Sequence, residues 1–188
     1  MRFFLLNMLL LLTCAIQAQV KMRDVIKEMP DSVIPYLTHN ARLDFIDFID
    51  SGMKAEVSNE LNGKSQMTEL TDDFASLTLN SASQIQMRLL DVNETIDNAR
   101  QIICMVRTFG KDMRESTIGF YSVQWRPLPI GERITLPSYM HHIVLSSQAP
   151  ELTVERETAL DMPANEDQKE EIKALNIFKW NGFIFKMN

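Results

Sequence analysis

The feature that most constrains this fold is a change in the spacing of apolar residues near Gly63. Before it, apolar residues recur every three or four positions, as on one face of a helix. After it, over residues 65–125, apolar and polar residues alternate or form short apolar runs, as in strands. Helices followed by strands favour an α+β fold, in which helices and sheet form separate layers.

Two N-terminal segments have helical spacing. The first covers residues 22–29 and ends at Pro30, which interrupts helices. The second begins at Asn40, a good N-cap. Its apolar residues share one broad face: Leu43, Phe45, Ile46, Phe48, Ile49 and Met53.

The strand pattern is clearest in four stretches. "SLTLN" (76–80) and "SQIQMRLL" (83–90) alternate on either side of Asn80-Ser81, which predicts a hairpin. Residues 101–109 form the apolar run of a central strand, and residues 116–125 form another strand. Residues 65–125 therefore predict a meander of about four antiparallel strands.

The chain closes with "FKWNGFIFKM", residues 178–187. Asn181-Gly182 predicts a type I′ hairpin turn. That turn would set two ring pairs opposite each other on one face: Trp180 with Phe183, and Phe178 with Phe185. Since each ring buries about 150–250 Å² and monomers rarely expose so large a patch, we expect this hairpin to close the core. A partner contact and a ligand-stacking platform are the alternatives.

The predicted architecture is α+β, with N-terminal helices packed on one face of an antiparallel β-meander, closed by a C-terminal β-hairpin. Residues 19–188 are expected to form a single domain, in which the highly polar segment 163–174 is predicted to be mobile.

Residues 1–18 have the pattern of a signal peptide. Arg2 precedes an apolar run and then small and polar residues, with predicted cleavage after Ala18. The alternative is lipidation of Cys14. The run is too short to span a membrane. We therefore expect the protein to be exported.

Charge and cysteine content exclude several functions. The formal net charge is −6, and loss of Arg2 would make it more negative, which disfavours nucleic-acid binding. Cys104 would remain as a single thiol in the most apolar strand, which predicts a buried core residue. The sequence has no phosphate-binding glycine loop, dinucleotide fingerprint or spaced metal ligands, so no cofactor and no metal is expected.

Four residues are weak catalytic candidates. Asp44 and Asp47 lie on adjoining parts of one helix face, where a solvated polar surface is the simpler explanation. His141 and His142 are adjacent, a spacing at which two histidines rarely bind one ion. No arrangement of nucleophile, base and orienting group emerges.

Three long stretches resemble a known family: "YLTHNARLDFIDFIDSGM", "LTDDFASLTLNSASQIQMRLL" and "STIGFYSVQW". They are similar to secreted Bacteroidales proteins known as domain of unknown function 3256. The resemblance implies export in a Gram-negative anaerobe, to the periplasm or to an outer-membrane-associated or extracellular location. It carries over no catalytic residue.

The favoured function is a non-catalytic binding or interaction module of the cell envelope, whose partner is an unknown protein or small ligand. One alternative is a small periplasmic hydrolase that uses an Asp/His pair. The other is a structural subunit that assembles through a sheet edge. The oligomeric state stays open.

Overall fold

The computed structural model describes residues 19–157 and 176–187. Its helices are α1 (Met22–Lys27) and α2 (His39–Asp50). Its strands are, in chain order, β1 (Glu56–Ser58), β2 (Lys64–Leu70), β3 (Phe74–Asn80), β4 (Ser83–Ile96), β5 (Ala99–Phe109), β6 (Glu115–Ser122), β7 (Pro127–Leu128), β8 (His141–Leu145), β9 (Glu151–Arg156), β10 (Ile177–Trp180) and β11 (Phe185–Met187). The predicted signal peptide and the polar segment 163–174 lie outside the described residues.

Strands β1 to β7 form one antiparallel sheet, here called the large sheet, in which every strand pairs with the next along the chain. The predicted meander over 65–125 is present, with the five strands β2–β6 in place of about four. The predicted hairpin around Asn80-Ser81 is confirmed, since β3 pairs antiparallel with β4. β4 and β5 are the longest strands and pair centrally.

Strands β8 to β11 form a second, small sheet in the order β11-β10-β9-β8. The sequence predicted its C-terminal hairpin but not that this hairpin would pair with β9. The sequence of residues 139–145 is compatible with a short helix or a strand, and that of residues 152–160 indicates a weak strand; the structure has strands β8 and β9 in these stretches.

Alternation along the central strands divides the core in two. One set of side chains packs with the helices, on what we call the helix face: Ala75, Leu77, Met87, Ile103 and Met105. The opposite set packs with the small sheet, on what we call the small-sheet face: Phe74, Leu90, Ile102, Cys104, Val106 and Phe120. The fold is therefore α+β, with helices, large sheet and small sheet in successive layers.

Helix α2 begins slightly before the predicted cap. Thr38, not Asn40, is the N-cap residue, and its hydroxyl accepts a hydrogen bond from the Ala41 amide at 3.2 Å. The helix ends at Asp50, so Met53 of the predicted apolar stripe lies beyond it and is exposed. Arg42 lies inside α2 and is buried, donating hydrogen bonds to the Leu37 and Met29 carbonyls.

The predicted pairing of the C-terminal hairpin is wrong by two residues. Trp180 pairs with Phe185, because residues 181–184 form a longer turn. The Asn181 side chain stabilises that turn by accepting hydrogen bonds from the amides of Phe183 and Ile184. Phe183 consequently points into solvent and is 55% exposed, while Phe178 and Phe185 are buried as expected.

Candidate functional site

A cleft of about 730 Å³ opens where β4 and β5 pass the C-terminal hairpin. Two side chains characterise the cleft: a buried arginine, Arg88, and a partly exposed tryptophan, Trp180, both line it. Its lining residues are Gln19, Asp73, Arg88, Leu89, Asp91, Val92, Asn93, Arg100, Gln101, Pro150, Trp180, Asn181 and Gly182.

Arg88 is the buried charge of the cleft, at 4% exposure. Its position in β4 directs it to the small-sheet face, where its Nη2 donates to Asp73 at 2.6 Å and its Nη1 donates to the Ser146 carbonyl. The Arg88 Nε is buried and has no hydrogen-bond partner among the described residues. A buried donor without an acceptor costs about 1–3 kcal/mol, so the two hydrogen bonds of the Nη atoms are what hold Arg88 in place.

Trp180 presents its ring rather than its polar atom. Its Nε1 donates to the Asp91 carbonyl at 2.6 Å, which uses the only donor of the indole. The ring stacks on Phe120 at 6.3 Å between centroids and meets the edge of Phe185 at 5.1 Å. These contacts fix the orientation of a ring that remains partly accessible.

The hairpin turn is held against β4 by a close backbone contact. The Asn93 amide donates to the Gly182 carbonyl at 3.1 Å. Gly182 has φ +92, and a Cβ there would lie 2.6 Å from Asn93 Oδ1. Glycine is therefore required both for the conformation and for the approach of the turn to the cleft.

The mouth of the cleft carries exposed polar side chains of both charges. Asp91, Asn93 and Arg100 are exposed there. With Arg88 and Asp73 included, the cleft contains two arginines and two aspartates, so its formal charge is balanced. Gln101 is buried and accepts a hydrogen bond from the Val20 amide at 2.9 Å, which fixes the start of the described chain beside the cleft.

The predicted candidates lie elsewhere, and the structure does not bring them together. Asp44 and Asp47 are exposed on α2, on the helix face. His141 and His142 belong to β8 of the small sheet, so the large sheet separates them from the aspartates. An Asp/His pair between these residues is therefore absent from the described structure.

His142 is partnered by glutamates. Its Nε2 lies 3.2 Å from Glu155 and its Nδ1 lies 2.8 Å from Glu157. The second approach is close but is not aligned as a hydrogen bond. Glu157 also accepts from Arg114 Nε at 3.1 Å. The group is largely buried, and it ties β8 to β9 and to the loop before β6.

His141 and Cys104 have structural surroundings. His141 Nδ1 lies 2.7 Å from the Tyr139 carbonyl, and the two rings meet edge to face. Cys104 is completely buried in β5, and burial raises the pKa of its thiol. The prediction of a core thiol is confirmed, because a thiolate needs a partly exposed, electropositive site.

Within residues 19–157 and 176–187, no three histidine, cysteine or acidic side chains converge as metal ligands. In the same part of the chain, no helix has the length and apolarity needed to cross a membrane.

Residues 13–163 match the family described as "Protein of unknown function (DUF3256)", and the chain belongs to that family. A solved structure, a domain of an uncharacterized protein from Porphyromonas gingivalis W83, has a similar fold. The TM-score is 0.71 at 18% sequence identity, with 91% of this chain and 99% of that chain covered. A search of curated proteins finds no match. The resemblance inferred from the sequence is confirmed, and neither match gives a function.

Sequence reasoning missed the cleft. It noted the ring of Trp180 but assigned it to the core, and it treated Arg88 as one polar position in an alternating strand. The available signal was the position of Arg88 in its strand. Gln86 and Leu90 lie two residues away on either side, so Arg88 shares their face, which is the small-sheet side of the sheet.

Proposed function

We propose that this protein is an exported, non-catalytic binding module of the cell envelope and that its ligand enters the cleft beside Trp180. The observation that carries the proposal is the combination, in one cavity, of an oriented, partly exposed aromatic ring with charged and polar side chains from β4 and β5. Small-molecule sites have volumes of about 300–1,000 Å³ and place a few polar groups around apolar surface.

Export is supported by the sequence of residues 1–18. Cleavage after Ala18 would make Gln19 the first residue, and Gln19 lines the cleft. The proposed location is the periplasm or the outer surface of a Gram-negative bacterium, in agreement with the fold shared with a Porphyromonas gingivalis domain.

The absence of catalysis is supported by the chemistry of the cleft. Its arginines and aspartates balance one another, and no histidine, cysteine, serine or threonine is among its lining residues. The cleft therefore lacks a hydroxyl or thiol nucleophile and a histidine base, and one of its two carboxylates, Asp73, is paired with Arg88. The hydrolase alternative required an Asp/His pair that the described residues do not form.

The structural-subunit alternative depends on a free sheet edge. Three of the edge strands, β1, β7 and β11, have only two or three residues, and β7 contains Pro127. Short edges and prolines are ways in which proteins prevent edge-to-edge pairing. The edges therefore support a soluble binding module better than an assembling subunit.

A thermal-shift screen against saccharides, dipeptides and organic acids tests the proposal, together with NMR spectra of each hit after long incubation. We expect at least one class to stabilise the protein and to remain chemically unchanged. Arg100→Ala should abolish the shift, while Lys186→Ala, on an exposed residue of β11 outside the cleft, should not. Conversion of a hit to product, lost in Arg100→Ala, would contradict the non-catalytic assignment.

A further inference from the structure

We infer that the cleft binds a neutral saccharide; this rests on the proposed function and names the class of its ligand. The inference depends on three properties of the cleft: the character of the aromatic surface, the type of the polar groups and the carboxylates of the lining. A sugar ring is compatible with all three, and the carboxylates disfavour an anionic ligand.

The aromatic surface accepts an apolar face. Because the Trp180 Nε1 is already bonded to the Asp91 carbonyl, the ring offers a ligand its apolar surface and no hydrogen-bond donor. Phe120 and Phe185 support the ring and keep it in place. A pyranose presents an array of C–H bonds on one face, which packs against an indole, and hydroxyl groups around its edge.

The polar groups offer both donors and acceptors. Asp91 provides carboxylate oxygens, Asn93 an amide, and Arg100 and Arg88 provide guanidinium groups. A sugar hydroxyl is both a donor and an acceptor, so it can bond to a carboxylate and a guanidinium at once. Asp91, Asn93 and Arg100 are exposed, so their side chains are accessible to the hydroxyl groups of a ligand.

The carboxylates of the lining disfavour an anion. Arg88 already donates to Asp73 at 2.6 Å, so a phosphate or carboxylate there would meet a carboxylate at close range. Asp91 places a second negative charge in the lining. Like charges in a partly buried cleft repel strongly, at about 4 kcal/mol for unit charges 4 Å apart near a protein surface.

Isothermal titration calorimetry of the purified protein with maltohexaose, cellohexaose and chitotetraose tests the inference. We expect saturable binding of at least one of them. Trp180→Leu and Arg100→Ala should each weaken it by about tenfold or more, while Lys186→Ala should leave it unchanged. Arg100 is exposed, so its variant should fold normally even if Trp180→Leu does not.

The same titrations with neutral dipeptides and with citrate separate this inference from the proposed function. Binding of a dipeptide or citrate at the cleft, with no saccharide bound at about 10 mM, would overturn the saccharide assignment and leave the binding module intact. No binding of any probe would overturn both. Saccharide binding that is equally strong in the Trp180→Leu and Arg100→Ala variants would also contradict the assignment to this cleft.

Discussion

The two tryptophans lie on opposite faces of the large sheet and serve different purposes. Both donate their indole N–H to a backbone carbonyl: Trp125 to Val25 at 2.9 Å, and Trp180 to Asp91 at 2.6 Å. Trp125 is 6% exposed and joins the helix-face core. Trp180 joins the small-sheet core only in part and borders the cleft. Trp125 is therefore enclosed by its face of the sheet, whereas Trp180 lies where the small-sheet face opens into the cleft.

Loss of a buried polar residue should lower stability more on the helix face than on the small-sheet face. Arg42→Met removes the guanidinium that bonds to the buried Leu37 and Met29 carbonyls at 2.6 and 2.7 Å. We expect the free energy of unfolding to fall by about 3–5 kcal/mol, as when one side of a buried polar contact is deleted. Urea unfolding measures this.

Asp31→Asn is the control for Arg42→Met, because the Asp31 side chain is 71% exposed. Since exposed ion pairs contribute about 0–1 kcal/mol, its effect should be small. Equal effects of the two variants would show that the ion pair, and not the carbonyl contacts, holds Arg42.

The small-sheet face should depend on the rings that the hairpin buries. Phe185→Ala removes a fully buried ring that contacts Phe120, so we expect a loss of about 3–4 kcal/mol. Phe183→Ala is the matched control in the same hairpin, where an exposed side chain should change stability by less than about 0.5 kcal/mol. Similar losses in the two variants would contradict the observed register.

The tryptophans themselves can be compared by replacing each indole with phenyl, which removes the N–H together with part of the ring. Trp125→Phe leaves the buried Val25 carbonyl without its partner, and we expect a loss of about 1–3 kcal/mol. Trp180→Phe should cost less, since water can reach the Asp91 carbonyl at the cleft. Thermal unfolding of both variants measures the two losses of stability. A larger loss in Trp180→Phe than in Trp125→Phe would mean that the surroundings of Trp180 exclude water more completely than those of Trp125.

The smallest effect is expected at Glu56, on the exposed β1 edge. Hydrogen bonds from Lys54 and Lys64 lower the pKa of Glu56 to about 2. A depressed pKa stabilises the fold at pH values above the ordinary carboxyl range, and the contribution is lost as the pH falls from about 4.5 towards about 2. NMR titration of the Glu56 side chain should show the low midpoint, and 0.5 M salt should raise it towards the ordinary value because salt screens exposed pairs. A midpoint in the ordinary range at low salt would contradict this contact.

Most of the sheet followed from local pattern, because alternation along residues 65–125 decides which side chains are buried. The register of the C-terminal hairpin did not follow from local pattern. The Asn181 side chain and the contact between Asn93 and Gly182 select a longer turn than Asn-Gly predicts. The cleft could not be predicted, since it joins Arg88, Arg100 and Trp180 from parts of the chain that only the fold brings together.

The most direct test of the account is acrylamide quenching of Trp180 fluorescence in the Trp125→Phe variant, with and without each of the three oligosaccharides. We predict that Trp180 is quenched in the free protein and protected when an oligosaccharide saturates the cleft, with Arg100→Ala in the same background as the control that shows no protection. Oligosaccharide binding that leaves the quenching of Trp180 unchanged, or no binding of any of the three, would contradict the claim that the open face of the sheet is a saccharide-binding site.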